Sequence, residues 1–202
     1  MKTTLNRKLS LAAVLAAGGL ALAAPGAQAQ DEYDWKVFVS GAYVDPLNDS
    51  QIDGDDWSLS SEFGYEFGVE WRPINRLGFE LAYLDIDQDV EIEGTAVGEV
   101  GFNPINITVN FHVINRNVFN WYIGPTVSFV DWGDVEFPGF GSAEVESETT
   151  IGASTGFTIG LGETFSLQFG LRYIDSKAES VELDEKVDVD PLFATVGVAF
   201  RF

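Results

Sequence analysis

The sequence contains no cysteine and a single histidine, His112, in 202 residues. Disulfides and thiolate metal sites are thereby excluded, and one histidine excludes a His-rich metal centre. Basic residues are scarce as well. Eleven Lys and Arg stand against 32 Asp and Glu, for a formal net charge of −21. So acidic a chain does not neutralise phosphates, which excludes a nucleic-acid partner. No long uninterrupted apolar run occurs beyond the N-terminal segment, which excludes a helical membrane span there. Neither a metal nor a cofactor is expected.

The N-terminal segment has the composition of a processing signal. Lys2, Arg7 and Lys8 precede the apolar run LSLAAVLAAGGLALAA, and Ala27-Gln28-Ala29 forms an A-x-A cleavage site. The arrangement predicts a secretory signal peptide over residues 1–29, removed after Ala29. Residues 30–202 are then one domain of an exported, very acidic protein.

What the remainder has in abundance is alternation. Apolar and polar residues alternate with period two over 35–44, 59–72, 77–86, 104–113, 120–132, 150–161, 165–174 and 191–202. Most of these runs exceed the five or six residues usual for a strand. Short connections (PIN, INRN, GET) alternate with long acidic ones over 45–58, 87–103, 133–149 and 175–190. Short turns at one end and long loops at the other predict an all-β fold. The expected architecture is an eight-stranded antiparallel up-and-down transmembrane β-barrel of the bacterial outer membrane.

The two faces of the strands settle the orientation. One parity is apolar and aromatic, as in Phe63, Tyr65, Phe67, Val69 and Trp71; the other is small or polar, as in Glu62, Gly64, Glu66, Gly68 and Glu70. Rows of large rings overfill an eight-stranded interior, so the apolar parity is expected to face lipid. Aromatics mark both ends of that face. Trp35, Trp71, Trp121, Phe165 and Phe202 fall at the short-turn end, and Tyr43, Tyr83, Phe129 and Tyr173 at the long-loop end. Eight residues separate several such pairs, which spans about 20 Å in a tilted strand, close to an outer-membrane apolar band. These nine are the expected membrane girdle.

Sorted by depth, the inward parity divides in two. Lys36, Glu66, Glu70, Arg72, Glu80, Arg172 and Arg201 are the candidate charge plug on the periplasmic side, with Asn110, His112 and Gln168 among them. A buried charge needs a partner, and Arg201 is expected to meet Glu70 or Glu80. Val44, Leu84, Ile86, Val130, Trp132, Ile174 and Phe193 are the candidate apolar channel lining on the loop side. Pro104 and Pro191 each remove a ladder donor near an outer strand end, where they mark either a weakened seam or an ordinary strand start.

The ordered set WKVFVSGAYVDP, LGFELAYL, NPINITVNFHV, WYIGPTVSFVDW and the closing VDVDPLFATVGVAFRF resembles the OmpW family of outer-membrane proteins over essentially all of 34–202. The unusually acidic loops depart from the family. The resemblance implies a narrow, largely hydrophobic channel for passive uptake of small hydrophobic molecules. These enter from outside and leave sideways through the barrel wall. It brings no catalytic residues. The implied partners are outer-membrane lipid and lipopolysaccharide, a small hydrophobic solute, and the barrel assembly machinery reading the terminal Phe202. Two other readings stand beside it. One is a structural or adhesive barrel whose acidic loops, such as Asp53–Asp56, bind cations or partners; the other is a small ion-conducting pore. An enzyme is not expected, because His112 is the sole candidate base of its type and has no serine suitably placed.

Overall fold

The computed structural model describes residues 35–47, 50–52, 55–92, 95–116, 118–133, 135–137, 141–143, 147–179 and 186–202. The predicted signal peptide lies outside them, as do parts of the acidic connections, including Asp53 and Gly54 of the Asp53–Asp56 run.

Eight long strands form one closed antiparallel sheet. They are β1 (Trp35–Pro46), β2 (Glu62–Ile74), β3 (Leu77–Ile92), β4 (Thr95–Asn115), β5 (Phe119–Trp132), β6 (Glu148–Gly160), β7 (Phe165–Ile174) and β8 (Pro191–Arg201). Each pairs with the next in the chain, and β8 pairs back to β1 with Val39 opposite Val198. The last rung is made by the backbones of Trp35 and Phe202, whose N–H groups each donate to the other's carbonyl at 3.1 and 3.0 Å. Closure removes the edges that hydrocarbon could not solvate.

Period-two patterning is realised in full. β5 alternates exposed and buried over all 14 residues. The exposed parity is the apolar one. Val39, Phe63, Leu81, Ile107, Ile123, Ile151, Leu171 and Val198, one from each strand, are all at least 40% exposed. An apolar belt running right round a molecule fits lipid, not water.

Three sequence expectations need correction. First, 87–103 is not a long connection. β3 and β4 run on as a hairpin to Ile92 and Thr95, reaching 16 and 21 residues. Inward Gln88, Val90, Val100 and Phe102 sustain the alternation while Asp87, Asp89 and Glu99 do not face the interior. Short hairpins flank this extension, 50–59 along β3 and 135–143 along β4. Second, Pro104 is inside β4 rather than at its start. Third, more rings enter the barrel than the expected Trp132 and Phe193: Phe38, Phe102 and Tyr122 are buried with them. Two fit because glycine lies under them. A Cβ on Gly68 would come within 2.2 Å of the Phe38 ring, and one on Gly156 within 2.4 Å of the Tyr122 hydroxyl.

Candidate functional site

The inward face changes character with depth. Along β1 it reads Lys36, Phe38, Ser40, Ala42, Val44; along β5, Asn120, Tyr122, Gly124, Thr126, Ser128, Val130, Trp132. Charge gives way to neutral hydrogen-bonding groups and then to hydrocarbon within a single strand.

The charged layer is one network. Arg172 donates through Nη1 to Glu66 and through Nη2 to Glu80 Oε1 at 3.1 Å. Asn110 Nδ2 donates to the other Glu80 oxygen at 3.1 Å. Lys36 Nζ is 2.6 Å from Glu70 Oε2 and 3.8 Å from Glu80 Oε2. Arg72 Nε donates to Glu70 Oε1 at 3.2 Å, and His112 Nε2 is 2.6 Å from the same oxygen. The other His112 nitrogen, Nδ1, is 2.8 Å from Asn120 Oδ1, and the amide of Asn120 is oriented by its bond to Asn115 Oδ1 at 2.8 Å. Lys36 also lies over the rings of Phe38 and Tyr122, at 5.1 and 5.3 Å. Three carboxylates (Glu66, Glu70, Glu80) face three fixed cations (Lys36, Arg72, Arg172), so the layer is close to neutral by itself. The excess acid of the chain resides outside it.

Arg201 does not join this network. Its Nη2 donates to the Gly162 carbonyl at 3.4 Å, at the short turn between β6 and β7. The expected contact with Glu70 or Glu80 is replaced by Lys36. Lys36 is registered opposite both Arg201 and Glu70 and fills the space between them. Above the charges lies a neutral polar rung. The Thr108 and Thr126 hydroxyls are 2.9 Å apart, and Ser128 donates to Asn106 Oδ1 at 2.6 Å. A cavity of about 10 Å³ beside Glu66, Tyr122, Gln168, Arg172 and Thr195 is on the scale of one water.

The apolar layer holds all seven residues expected to line a channel, Val44, Leu84, Ile86, Val130, Trp132, Ile174 and Phe193, each buried. Sequence reasoning missed Ala42, Val90, Val100, Phe102 and Val189, which complete the same cluster. Phe102 is central. Its ring centroid is 4.7 Å from that of Trp132 and 5.9 Å from that of Phe193. The residues expected to line a channel therefore form a packed layer. The extension of β3 and β4 supplies the extra side chains that fill it. Two polar atoms are buried within or beside it without a partner among the described residues, Trp132 Nε1 and Gln88 Oε1. Leaving such an atom unpaired costs about 1–3 kcal/mol. Among the described residues no group of His, Asp and Glu is placed to hold a metal ion.

No family model matches the chain. An uncharacterized outer-membrane protein of Sinorhizobium fredii, y4mB, is 24% identical over 183 residues, covering 83% of this chain and 80% of that protein. Among solved structures, OprG from Pseudomonas aeruginosa superposes with a TM-score of 0.73 at 19% identity, over 84% of this chain and 96% of OprG. AlkL, solved in lipid bilayers, gives 0.67 at 19% identity, over 89% and 95%. The chain has the fold of an outer-membrane β-barrel. Its structural neighbours OprG and AlkL are OmpW-like, so the resemblance seen in the sequence holds at the level of the fold.

The wall of the barrel carries two further features. The residues expected to form a girdle lie on its outside. Trp35, Trp71 and Phe79 stand opposite one another on β1, β2 and β3, with ring centroids 6.2 and 5.9 Å apart. Trp121 and Phe165 are exposed next to the short turns, with Phe202 half-buried nearby. Tyr43, Phe129 and Tyr173 are exposed toward the other end, where Tyr83 is half-buried. The second feature is a break in the ladder. Between β3 and β4, Tyr83 pairs with Ile105 and Ile86 with Phe102, and no rung forms between them. Pro104, which lacks an N–H, occupies that gap. The Tyr83 hydroxyl, donating to Asn103 Oδ1 at 3.3 Å, crosses it by a side chain. Pro191 instead opposes Pro46 at the outer end of the β1–β8 seam.

Proposed function

We propose that this barrel is an outer-membrane conduit for passive uptake of small hydrophobic molecules. A solute enters from the loop side by parting the apolar layer and leaves sideways into the membrane. The observation that carries the reading is the position of the ladder gap. Leu84 and Pro104 face inward at the break, next to Ile86 and Phe102 of the apolar layer, and Tyr83 and Ile105 face lipid on its other side. Below it the axial route meets Glu66, Arg172 and Glu80, a layer that a hydrocarbon cannot enter without desolvating charge. An apolar path and a thin wall thus coincide above a polar seal.

The surrounding partners follow from the surface. Lipid and lipopolysaccharide meet the girdle and belt, and the assembly machinery reads the strand that ends at Phe202. The test is entry of a small apolar solute into cells that carry the protein against cells that lack it. Faster entry with low ion conductance in planar bilayers is expected. Equal entry in the two strains refutes the reading and leaves the fold untouched.

A further inference from the structure

We propose that the preferred solute is a neutral molecule bearing one oxygen, a medium-chain alcohol or ketone, rather than a saturated hydrocarbon, and that Trp132 selects it. This rests on the uptake reading above and narrows its substrate class. The apolar layer is not uniformly apolar. Trp132 is buried within it, and its indole N–H has no partner among the described residues. A buried indole N–H ordinarily finds an acceptor. Gln88, fully buried, donates its amide to the Ser60 carbonyl at 3.1 Å. That bond orients the amide and commits its oxygen elsewhere, where it too lacks a partner among the described residues.

These two side chains flank the same stretch of β4. Gln88 is registered opposite Val100, and Trp132 opposite Phe102. One unused donor thus lies in the ring stack of Phe102 with Trp132 and Phe193, where an apolar solute must displace packing to pass, and one unused acceptor is registered two residues away along β4. A hydroxyl can accept from the one and donate to the other, a ketone oxygen can only accept, and a methyl group does neither. A site that hydrogen-bonds a substrate oxygen rejects the analogue lacking it. The molecule is neutral because the layer offers no free cation among the described residues. Arg172, registered opposite Phe193, is already bound to Glu66 and Glu80, and the chain as a whole is strongly acidic.

The experiment compares entry of 1-octanol, 2-octanone and n-octane into cells carrying the full-length protein, with protein-free cells as reference. One neutral hydrogen bond corresponds to a preference of about three- to tenfold for octanol over octane. Trp132→Phe keeps the ring stack and is expected to bring octanone entry down to the octane rate and to slow octanol entry. Gln88→Met is expected to slow octanol alone. In bilayers, the Trp132 indole N–H resonance of the native protein is expected to move with 1-octanol and to stay with n-octane. Equal native rates for octanol and octane, a preference for octanone over octane that survives Trp132→Phe, or an unmoved indole resonance overturns this inference and leaves hydrophobic uptake standing. Entry of none of the three above the protein-free rate overturns the uptake reading and this inference with it.

Discussion

At the scale of single residues, the interior is held by pairings that tolerate little. Among the described residues Arg172 is the only fixed cation within 4.0 Å of Glu66, and it also binds Glu80. Arg172→Met strands the buried Glu66 carboxylate, leaves Glu80 with only Lys36 and Asn110 among the described residues, and is expected to destabilise the barrel by about 3–5 kcal/mol, read by urea unfolding in lipid vesicles. Adding Glu66→Gln and Glu80→Gln to that variant removes the orphaned charges and is expected to restore much of the loss. A triple variant less stable than Arg172→Met refutes the pairing account. Packing is as exacting. Gly68→Ala drives a methyl into the Phe38 ring and is expected to lose about 1–3 kcal/mol. Phe38→Leu in the same chain should recover part of it, although the Leu81 carbonyl, 2.9 Å from that Cβ, limits the recovery.

At the scale of elements, the strands and their orientation were legible because each alternates and the apolar parity is too bulky to turn inward as a whole. The extension of β3 was not legible. In DQDVEI, Asp87, Asp89 and Glu91 look like solvated loop, and only Gln88, Val90 and Ile92 on the other parity keep the strand period. Phe102 was lost for a related reason. Pro104 reads as the start of a strand, yet a proline is tolerated inside β4 where the ladder toward β3 carries no rung. The pairings of the plug were beyond reach for a third reason. Parity tells which residues face inward, but reach and register decide that Lys36 rather than Arg201 meets Glu70. The ladder gap can be tested directly. The chain has no cysteine, so Leu84→Cys with Pro104→Cys places the sole thiols on facing positions across the break. Oxidising that pair is expected to cut solute entry several-fold, and reductant should restore it, as measured on one population of cells. Unchanged entry after verified cross-linking excludes this seam as the exit.

At the scale of the whole molecule, charge and hydrocarbon are segregated by height. The barrel wall presents apolar side chains to lipid and the plug balances its own charges. The acid of the chain therefore concentrates beyond the membrane, on the hairpin extension and the loops. At roughly 3.3 Å per residue and a tilt near 40°, 21 residues of β4 rise about 50 Å, roughly twice the apolar band. The upper apolar layer thus reaches out of the bilayer on a collar of acidic sheet. The rung between Trp35 and Phe202 matters at this scale as well. Removing Phe202 deletes both hydrogen bonds to Trp35 along with the terminal ring, and is expected to lower the amount of barrel in the outer membrane several-fold. Phe202→Trp should preserve it. Surface labelling on intact cells reads both; equal amounts for the deletion and the native chain would refute a role for that residue in assembly.

The way the sheet closes has a kinetic consequence. Seven of its eight seams join strands that follow one another along the chain, and the β1–β8 seam joins residues near the two ends of the described barrel. Contacts of low sequence separation form first, and the entropy of bringing the ends together falls on that single seam. It is the last to zip and the first to part. Weakening it, for example with Val39→Ala or Val198→Ala, should therefore speed unfolding while leaving the folding rate nearly unchanged. The lifetime of the barrel in the membrane is set where its two ends meet.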